Sequence, residues 1–556
     1  MPTSTRYRVA WARPLEWGAA AWHATRGTRL WGSGVLSSLN PLAGSLISLA
    51  GSLASWMGSR RRWWVTLVVL FALSAAWSLA TPLTAAPDEP AQIIKAAAVV
   101  RGEFLGTPAP PTRAGPSAYV AVQVPAVFAR SPAVPRCFAM QPDIAASCSP
   151  TFRGSARGLR VYTYVGRYPP LYYLVVGLPS LWLESGAGVR LMRMLSALVC
   201  CALLASAFES AASSRWARLG VLGLAIAVTP MVLFLNGTVN PNSVEIAAAL
   251  DLWISGLVLL TDNVLATSRR LMARVGFAAA VLVEMRGVSW LWLGLAVVGL
   301  LALARRPCIA AVARDRVAWA WGAVAGASAG FSAWWTVNYS SLAVLPSGTP
   351  HPRTPLSSLI ETGIGETEAF LREMVGIVGW LDTPAPTLTF YLWFALVALA
   401  LGAGLAFGAR RASWVLAGVA VATVAVPVVL QVPVAARIGF AWQGRYTLPL
   451  AVGIPVVAAY ALSSNRQLER VGFRPAGLMV GATVVAQAAM FLLALRRYTV
   501  GLGGPLNPFG GTWAPPLGAG GATVLFGAGL LGYAAWLVKL SRAEIHYDDT
   551  ASRALR

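Results

Sequence analysis

The sequence predicts an all-α, polytopic membrane protein, and three observations carry that prediction. Apolar residues make up 57% of the 556 and charged residues only 12%, with a mean hydropathy of +0.63, well outside the composition of water-soluble domains. Many apolar runs reach the ~17–25 residues that a hydrocarbon core demands of a helix. Arginines fall in small groups between those runs rather than in one basic block, as the positive-inside rule requires of cytoplasmic loops. The formal charge of +23 is thereby accounted for without nucleic acid, which is not an expected partner; membrane lipids are.

Residues 1–61 are basic, with a Gly/Ser-rich stretch over 34–56 that is weakly apolar and interrupted at Asn40-Pro41. This segment is expected to be cytoplasmic, and either disordered or laid along the membrane. Met57, just ahead of Arg60-Arg61-Arg62, is a candidate natural start. A membrane domain over 62–540 follows, then a cytoplasmic tail over 541–556. About twelve spans are expected, near 63–80, 191–211, 219–235, 244–260, 275–285, 289–303, 317–336, 388–407, 414–432, 448–462, 476–495 and 524–540.

With these spans, Arg60 to Arg62, Arg215 and Arg218, Arg269, Arg270 and Arg274, Arg305 and Arg306, Arg410 and Arg411, and Arg466, Arg470 and Arg474 share one face. That face is cytoplasmic and holds both termini of a multi-pass cell-membrane protein. The fifth and sixth spans are shorter than a bilayer. Fused, they would throw the later arginine groups outside, so a short hairpin with Glu284, Arg286 and Gly287 at its tip is expected instead. The long loops 81–190, 337–387, 433–447 and 496–523 then lie outside and are expected to pack as one extracytoplasmic cap.

Those outer loops hold the unusual polar residues. Pro87-Asp88-Glu89-Pro90 places two carboxylates just beyond the first span, and ionisable groups beside a low-dielectric slab are functional candidates. A helix is expected to start near Glu89-Pro90, so Asp88 could alternatively serve only as its cap. Cys137 and Cys148 form a small disulfide-closed loop if this segment faces an oxidising compartment; two unpaired thiols are the alternative. The loop ends in Arg167-Tyr168-Pro169-Pro170-Leu171-Tyr172-Tyr173, where tyrosines suit an interface and Arg167 could meet a phosphate or carboxylate. Asn240 and Asn242 sit before the fourth span, to bind a polar ligand or to cap a helix. Later come Trp380-Leu381-Asp382-Thr383-Pro384, Arg437, and Trp442-Gln443-Gly444-Arg445-Tyr446-Thr447-Leu448-Pro449. An arginine between Trp and Tyr can snorkel to headgroups or grip a lipid phosphate beside a stacking platform for a sugar.

In that order and on one face, these motifs resemble the DUF2142 family of membrane proteins, of the GT-C clan of glycosyltransferases, over about residues 63–540. One departure is Gln92, where that family often carries a histidine after the acidic pair. The resemblance implies a GT-C-like helical bundle, and a polyprenyl-phosphate sugar donor whose sugar passes to an envelope glycan or lipid acceptor outside, with inversion.

Such chemistry needs a carboxylate to take the acceptor's proton, guanidinium groups for the departing phosphate, and an apolar groove for the tail. Asp88 is the expected base, with Glu89 assisting. Lys95, Arg167, Arg286, Arg437 and Arg445 are the phosphate candidates. Gln92, Tyr168, Tyr172, Asn240, Asn242, Trp380, Asp382, Trp442, Gln443 and Tyr446 are the substrate candidates. No compact ligand set demands a metal, although a divalent cation is compatible with the acidic pair. A transporter for a lipid-linked saccharide is the alternative, favoured by Asp251 inside the fourth span; a non-catalytic envelope scaffold is a third.

Overall fold

The computed structural model describes residues 61–110, 118–152, 155, 157–342, 351, 354–465 and 473–542. The expectations for residues 1–60, the candidate start at Met57 among them, and for all but two residues of the C-terminal tail lie outside the described residues.

The chain is mostly helical. Eight helices among the described residues are long and apolar enough to cross a membrane: α1 (Arg61–Ala80), α4 (Gly186–Ser213), α7 (Pro241–Thr261), α14 (Thr387–Phe407), α15 (Arg410–Ile438), the run of α16 (Gly444–Ala451) into α17 (Gly453–Leu462), α18 (Phe473–Thr499) and α19 (Gly518–Arg542). Two bent pairs raise the number to ten. In the first, α5 (Ala217–Ala227) meets α6 (Pro230–Asn236) at 70°, because Pro230 cannot continue the preceding helix and Thr229 caps the new one through Val232 N at 3.3 Å. In the second, α9 (Ser289–Leu303) meets α10 (Arg306–Arg314) at 118°. Two more expected spans are helices, α8 (Arg269–Val283) and α11 (Arg316–Tyr339), that fall outside this length-and-apolarity class. The expectation of twelve crossings is thus two to four above the eight to ten these helices support.

The α7 helix is apolar on every side, as a helix enclosed by others must be, and it packs against α4, α8, α9 and α16. Its one mid-helix carboxylate, Asp251, accepts from Ser255 Oγ at 2.7 Å. Ser255 in turn meets Ser210, which Arg274 also reaches.

The first long loop is not wholly helical, which corrects the all-α expectation. It carries α2 (Glu89–Val99), a three-stranded antiparallel sheet of β1 (Thr107–Pro108), β2 (Val120–Pro125) and β3 (Gly158–Thr163), and α3 (Leu171–Val176). Val120-Ala121-Val122-Gln123-Val124 is rich in β-branched residues and far too short to span, a pattern that favours a strand. Later come α12 (Leu356–Gly365) and α13 (Thr367–Gly376), then a two-strand pair, β4 (Ile377–Val378) with β5 (Thr383–Pro384).

Cys137 and Cys148 are bridged. The closed loop is fastened to α18 by Arg497, which donates to the carbonyls of Ile144 (2.6 Å) and Phe138 (2.7 Å) and to Asp382 Oδ2 (2.9 Å). Replacing both cysteines by serine should cost about 2–3 kcal/mol, the amount usual for a loop of this size. The check is proteolysis of non-reduced protein, with cleavage over 137–148 faster in the double variant.

Candidate functional site

Asp88 stands before the first turn of α2 in left-handed backbone, φ 65°, which Asp tolerates better than most residues. That conformation turns its side chain away from the helix it precedes, and the carboxylate makes no capping bond. The capping alternative therefore does not describe it. Instead Oδ1 accepts from the Tyr164 hydroxyl at 2.5 Å and Oδ2 accepts from Arg445 Nη2. Burial first, and the Asp88 charge second, hold the Tyr164 hydroxyl above the ordinary phenol range, so Tyr164 donates at physiological pH. The Asp88 side chain remains 24% exposed and faces a cavity of about 340 Å³.

The polar wall of that cavity comprises Asp88, Tyr164, Tyr168, Arg286, Gln443 and Tyr446; Trp442 and Gln431 adjoin it. The apolar wall is Leu342, Leu430, Val434 and Ile438. Arg286 is carried by the turn between α8 and α9, as the hairpin-tip expectation placed it. Its guanidinium lies 4.2 Å from the centre of the Tyr446 ring and 5.8 Å from that of Tyr168, and its buried Nη1 has no partner among the described residues. Arg445 does not line the cavity but reaches it through Asp88 and through the Tyr446 hydroxyl, 3.2 Å from Nη2. Its Nε and Nη1 are buried with no partner among the described residues. Buried donors normally find acceptors, so two guanidinium groups with spare N–H beside a carboxylate describe a site prepared for an anion.

The remaining candidates support this wall or lie off it. Glu89 does not line the cavity: it is fully buried in a bidentate pair with Arg193, at 2.7 and 2.6 Å, and accepts from Val239 N at 3.0 Å. Arg193 also donates to the carbonyls of Ser78 (3.0 Å), Thr81 (2.8 Å) and Pro82 (2.8 Å), so each of the five N–H donors of a guanidinium is used. Asn240 caps α7 and donates to Pro87 O at 3.2 Å, directly before Asp88. Asn242 donates to Glu245 at 2.9 Å, and Glu245 accepts from Ser289 Oγ at 2.6 Å. That hydroxyl in turn accepts from Arg286 N at 3.0 Å, which fixes the turn bearing Arg286. Trp380 donates to Thr84 O at 3.2 Å, and Asp382 is occupied by Arg497, Met140 N and Thr383.

Lys95, expected at the phosphate, is instead fully buried, with Nζ bonded to the carbonyls of Gly166 and Phe104. Gln92 accepts from Tyr173 at 2.5 Å, and Tyr172 meets Ser196 at 3.0 Å. The Arg167 side chain is off the cavity wall, and its carbonyl accepts from Trp335 (2.9 Å) and Ser341 (2.6 Å). Arg437 is exposed at the end of α15.

Burial pushes Lys95 down to about 7, from 10.5. Between those values the unfolded chain holds more protons than the native one, so native stability should rise with pH across that window. Melting curves at pH 7 and pH 9 should show wild type gaining on Lys95→Met as pH rises; parallel curves would exclude the effect.

Sequence reasoning missed Tyr164, Arg193, Glu245 and Gln431. Arg193 and Glu245 did carry a signal, each being an ionisable residue inside an apolar run. Tyr164 had none, because it follows a strand that periodicity did not reveal.

No curated protein sequence matches the chain. Among solved structures, ArnT from Cupriavidus metallidurans bound to undecaprenyl phosphate matches with 14% identity and a TM-score of 0.36, over 88% of this chain and 77% of that one. The family model described as a predicted membrane protein, DUF2142, matches residues 70–454, a stretch that includes Asp88, Arg286 and Arg445. The chain belongs to the DUF2142 family of membrane proteins.

Proposed function

We propose that this cavity is the active site of a GT-C-type membrane glycosyltransferase, which transfers a sugar from a polyprenyl-phosphate donor to an envelope glycan or lipid acceptor on the outer face of the cell membrane. The observation that carries the reading is a partly exposed carboxylate, Asp88, beside Arg286 and Arg445, whose buried N–H groups are unsatisfied.

In this reading the acceptor hydroxyl donates to Asp88. Its oxygen attacks the anomeric carbon opposite the phosphate, and the proton passes to the Asp88 carboxylate as the new C–O bond forms. The bond from carbon to phosphate oxygen breaks, its electron pair stays with the lipid phosphate, and the configuration inverts. Arg286 and Arg445 stabilise the charge on that leaving group. Trp442, Tyr168 and Tyr446 supply faces against which a sugar ring packs, Gln443 a polar contact, and the Leu342–Leu430–Val434–Ile438 wall a path for the lipid tail. Glu89 acts in this scheme as a positioning residue, next in the chain to the base.

The experiment is transfer from a panel of radiolabelled polyprenyl-phosphate sugars to membrane acceptors. Arg286→Gln should lower turnover about 10²–10³-fold, the loss usual when one donor to a developing anion is removed. A variant within threefold of wild type on every accepted donor would exclude Arg286 from the reaction. Transport has no comparable support, since Asp251 is sealed among Ser210, Ser255 and Arg274 within the bundle.

A further inference from the structure

A second cavity, of about 500 Å³, opens at the helix ends opposite the candidate site. The α7 helix relates the two: Asn240 at its start supports Pro87, and Thr261 at its end lines the second cavity. Twenty-one residues separate them, about 30 Å at 1.5 Å per residue. The arginine distribution assigns this far face to the cytoplasm.

Three guanidinium groups from three separate elements converge here: Arg215 from the α4–α5 connection, Arg305 before α10, and Arg411 in the first turn of α15. Among the described residues, the one carboxylate in the wall is Asp262. Its Oδ2 is taken by Arg215 at 3.1 Å, and its Oδ1 by the backbone N–H of Val264 (3.0 Å) and Leu265 (3.4 Å). Among the described residues, the Arg305 and Arg411 side chains have no hydrogen bond or ion pair. Two positive charges are therefore left uncompensated in one concavity. Ser463 and Ser464 also line the wall, their hydroxyls donating to the carbonyls of Tyr460 (2.6 Å) and Ala461 (2.9 Å).

The backbone points the same way. The α15 helix begins at this cavity, with Ala409 and Ala412 in the wall, and Ala409 offers no side-chain cap. The first-turn N–H groups and the positive end of a 29-residue helix thus face the same space as the guanidinium groups. Snorkelling alone would direct arginines outward to separate headgroups. It does not call for three of them around one concavity with an uncapped helix start.

We infer that this cavity binds a phosphate group at the membrane face opposite the candidate active site, either the headgroup phosphate of an acidic phospholipid or free phosphate. The inference is independent of the proposed transferase reaction, and its test does not use activity.

The test uses the full chain purified in neutral detergent. Phosphatidylglycerol retention is read by native mass spectrometry, and inorganic phosphate binding by the shift in unfolding temperature. The variant pair Arg305→Gln with Arg411→Gln alters the cavity. The pair Arg306→Gln with Arg410→Gln removes the same charge from neighbours outside the wall. Ser464→Glu places a carboxylate at the rim and covers the case in which the first pair does not fold.

At roughly fivefold per basic contact, the cavity pair should bind about 25-fold more weakly, with the control pair close to wild type and Ser464→Glu impaired. That pattern with phosphatidylglycerol identifies the lipid headgroup as the source. The same pattern with inorganic phosphate alone identifies free phosphate. The inference is overturned if neither anion binds the wild type, or if cavity and control pairs lose binding equally.

Discussion

Asp88→Asn should reduce sugar transfer about 10²–10⁴-fold, the contribution of a positioned general base, while donor binding persists. Asparagine keeps the shape of the side chain and can still accept from Tyr164, but it cannot take a proton from an acceptor hydroxyl. Arg286 is untouched by the change, so the donor phosphate retains a cationic partner. The comparison requires matched amounts of folded protein, checked by melting temperature, and single-turnover transfer from the donor that the wild type accepts. Turnover within tenfold of wild type would remove Asp88 from the chemical step. Loss of donor binding together with turnover would instead make Asp88 part of the donor site.

The second large effect is on folding. Arg193→Leu leaves the Glu89 carboxylate buried without a counter-charge and strips hydrogen bonds from three carbonyls at the end of α1. Breaking a buried pair from one side costs about 3–5 kcal/mol, a large part of the ~5–15 kcal/mol that holds a typical native state. The expected result is a steep fall in monodisperse protein and in melting temperature. The two-sided change Arg193→Met with Glu89→Met should recover part of that loss, since it removes both charges together. A single Arg193→Leu variant that melts like wild type would show that the pair does not hold the outer loop.

The helical plan was legible because lipid imposes so strict a rule on composition. Apolar runs bounded by arginine groups mark α1, α4, α7 and α14 to within a few residues. Crossing number was harder, because α8 is only 15 residues long and α11, long enough at 24, is less apolar than the spans. The β1–β3 sheet was not legible at all, its strands being short segments in a long loop.

At the site, the residues singled out in the sequence include Asp88, Arg286, Trp442, Gln443 and Tyr446 on one cavity wall, with Arg445 behind it on Asp88. The same motifs also pointed to Lys95 and Asp382, which the fold consumes in buried contacts. Charge near a membrane marks a residue as costly and hence purposeful. It does not distinguish a group that meets substrate from one that meets backbone carbonyls, because both satisfy the same electrostatic need.

The arrangement around Arg193 also sets a mechanical frame of reference. Its bonds to Ser78, Thr81, Pro82 and Glu89 tie the residue beside Asp88 to α1 and α4, which are bundle helices. Tyr168 and Leu342, by contrast, belong to the outer connections. A shift in those connections would reshape the mouth of the cavity while leaving the carboxylate tied to α1 and α4. Under the proposed reaction, admission of substrate and alignment of the reacting group would then fall to different parts of the chain, so that either could change without retuning the other.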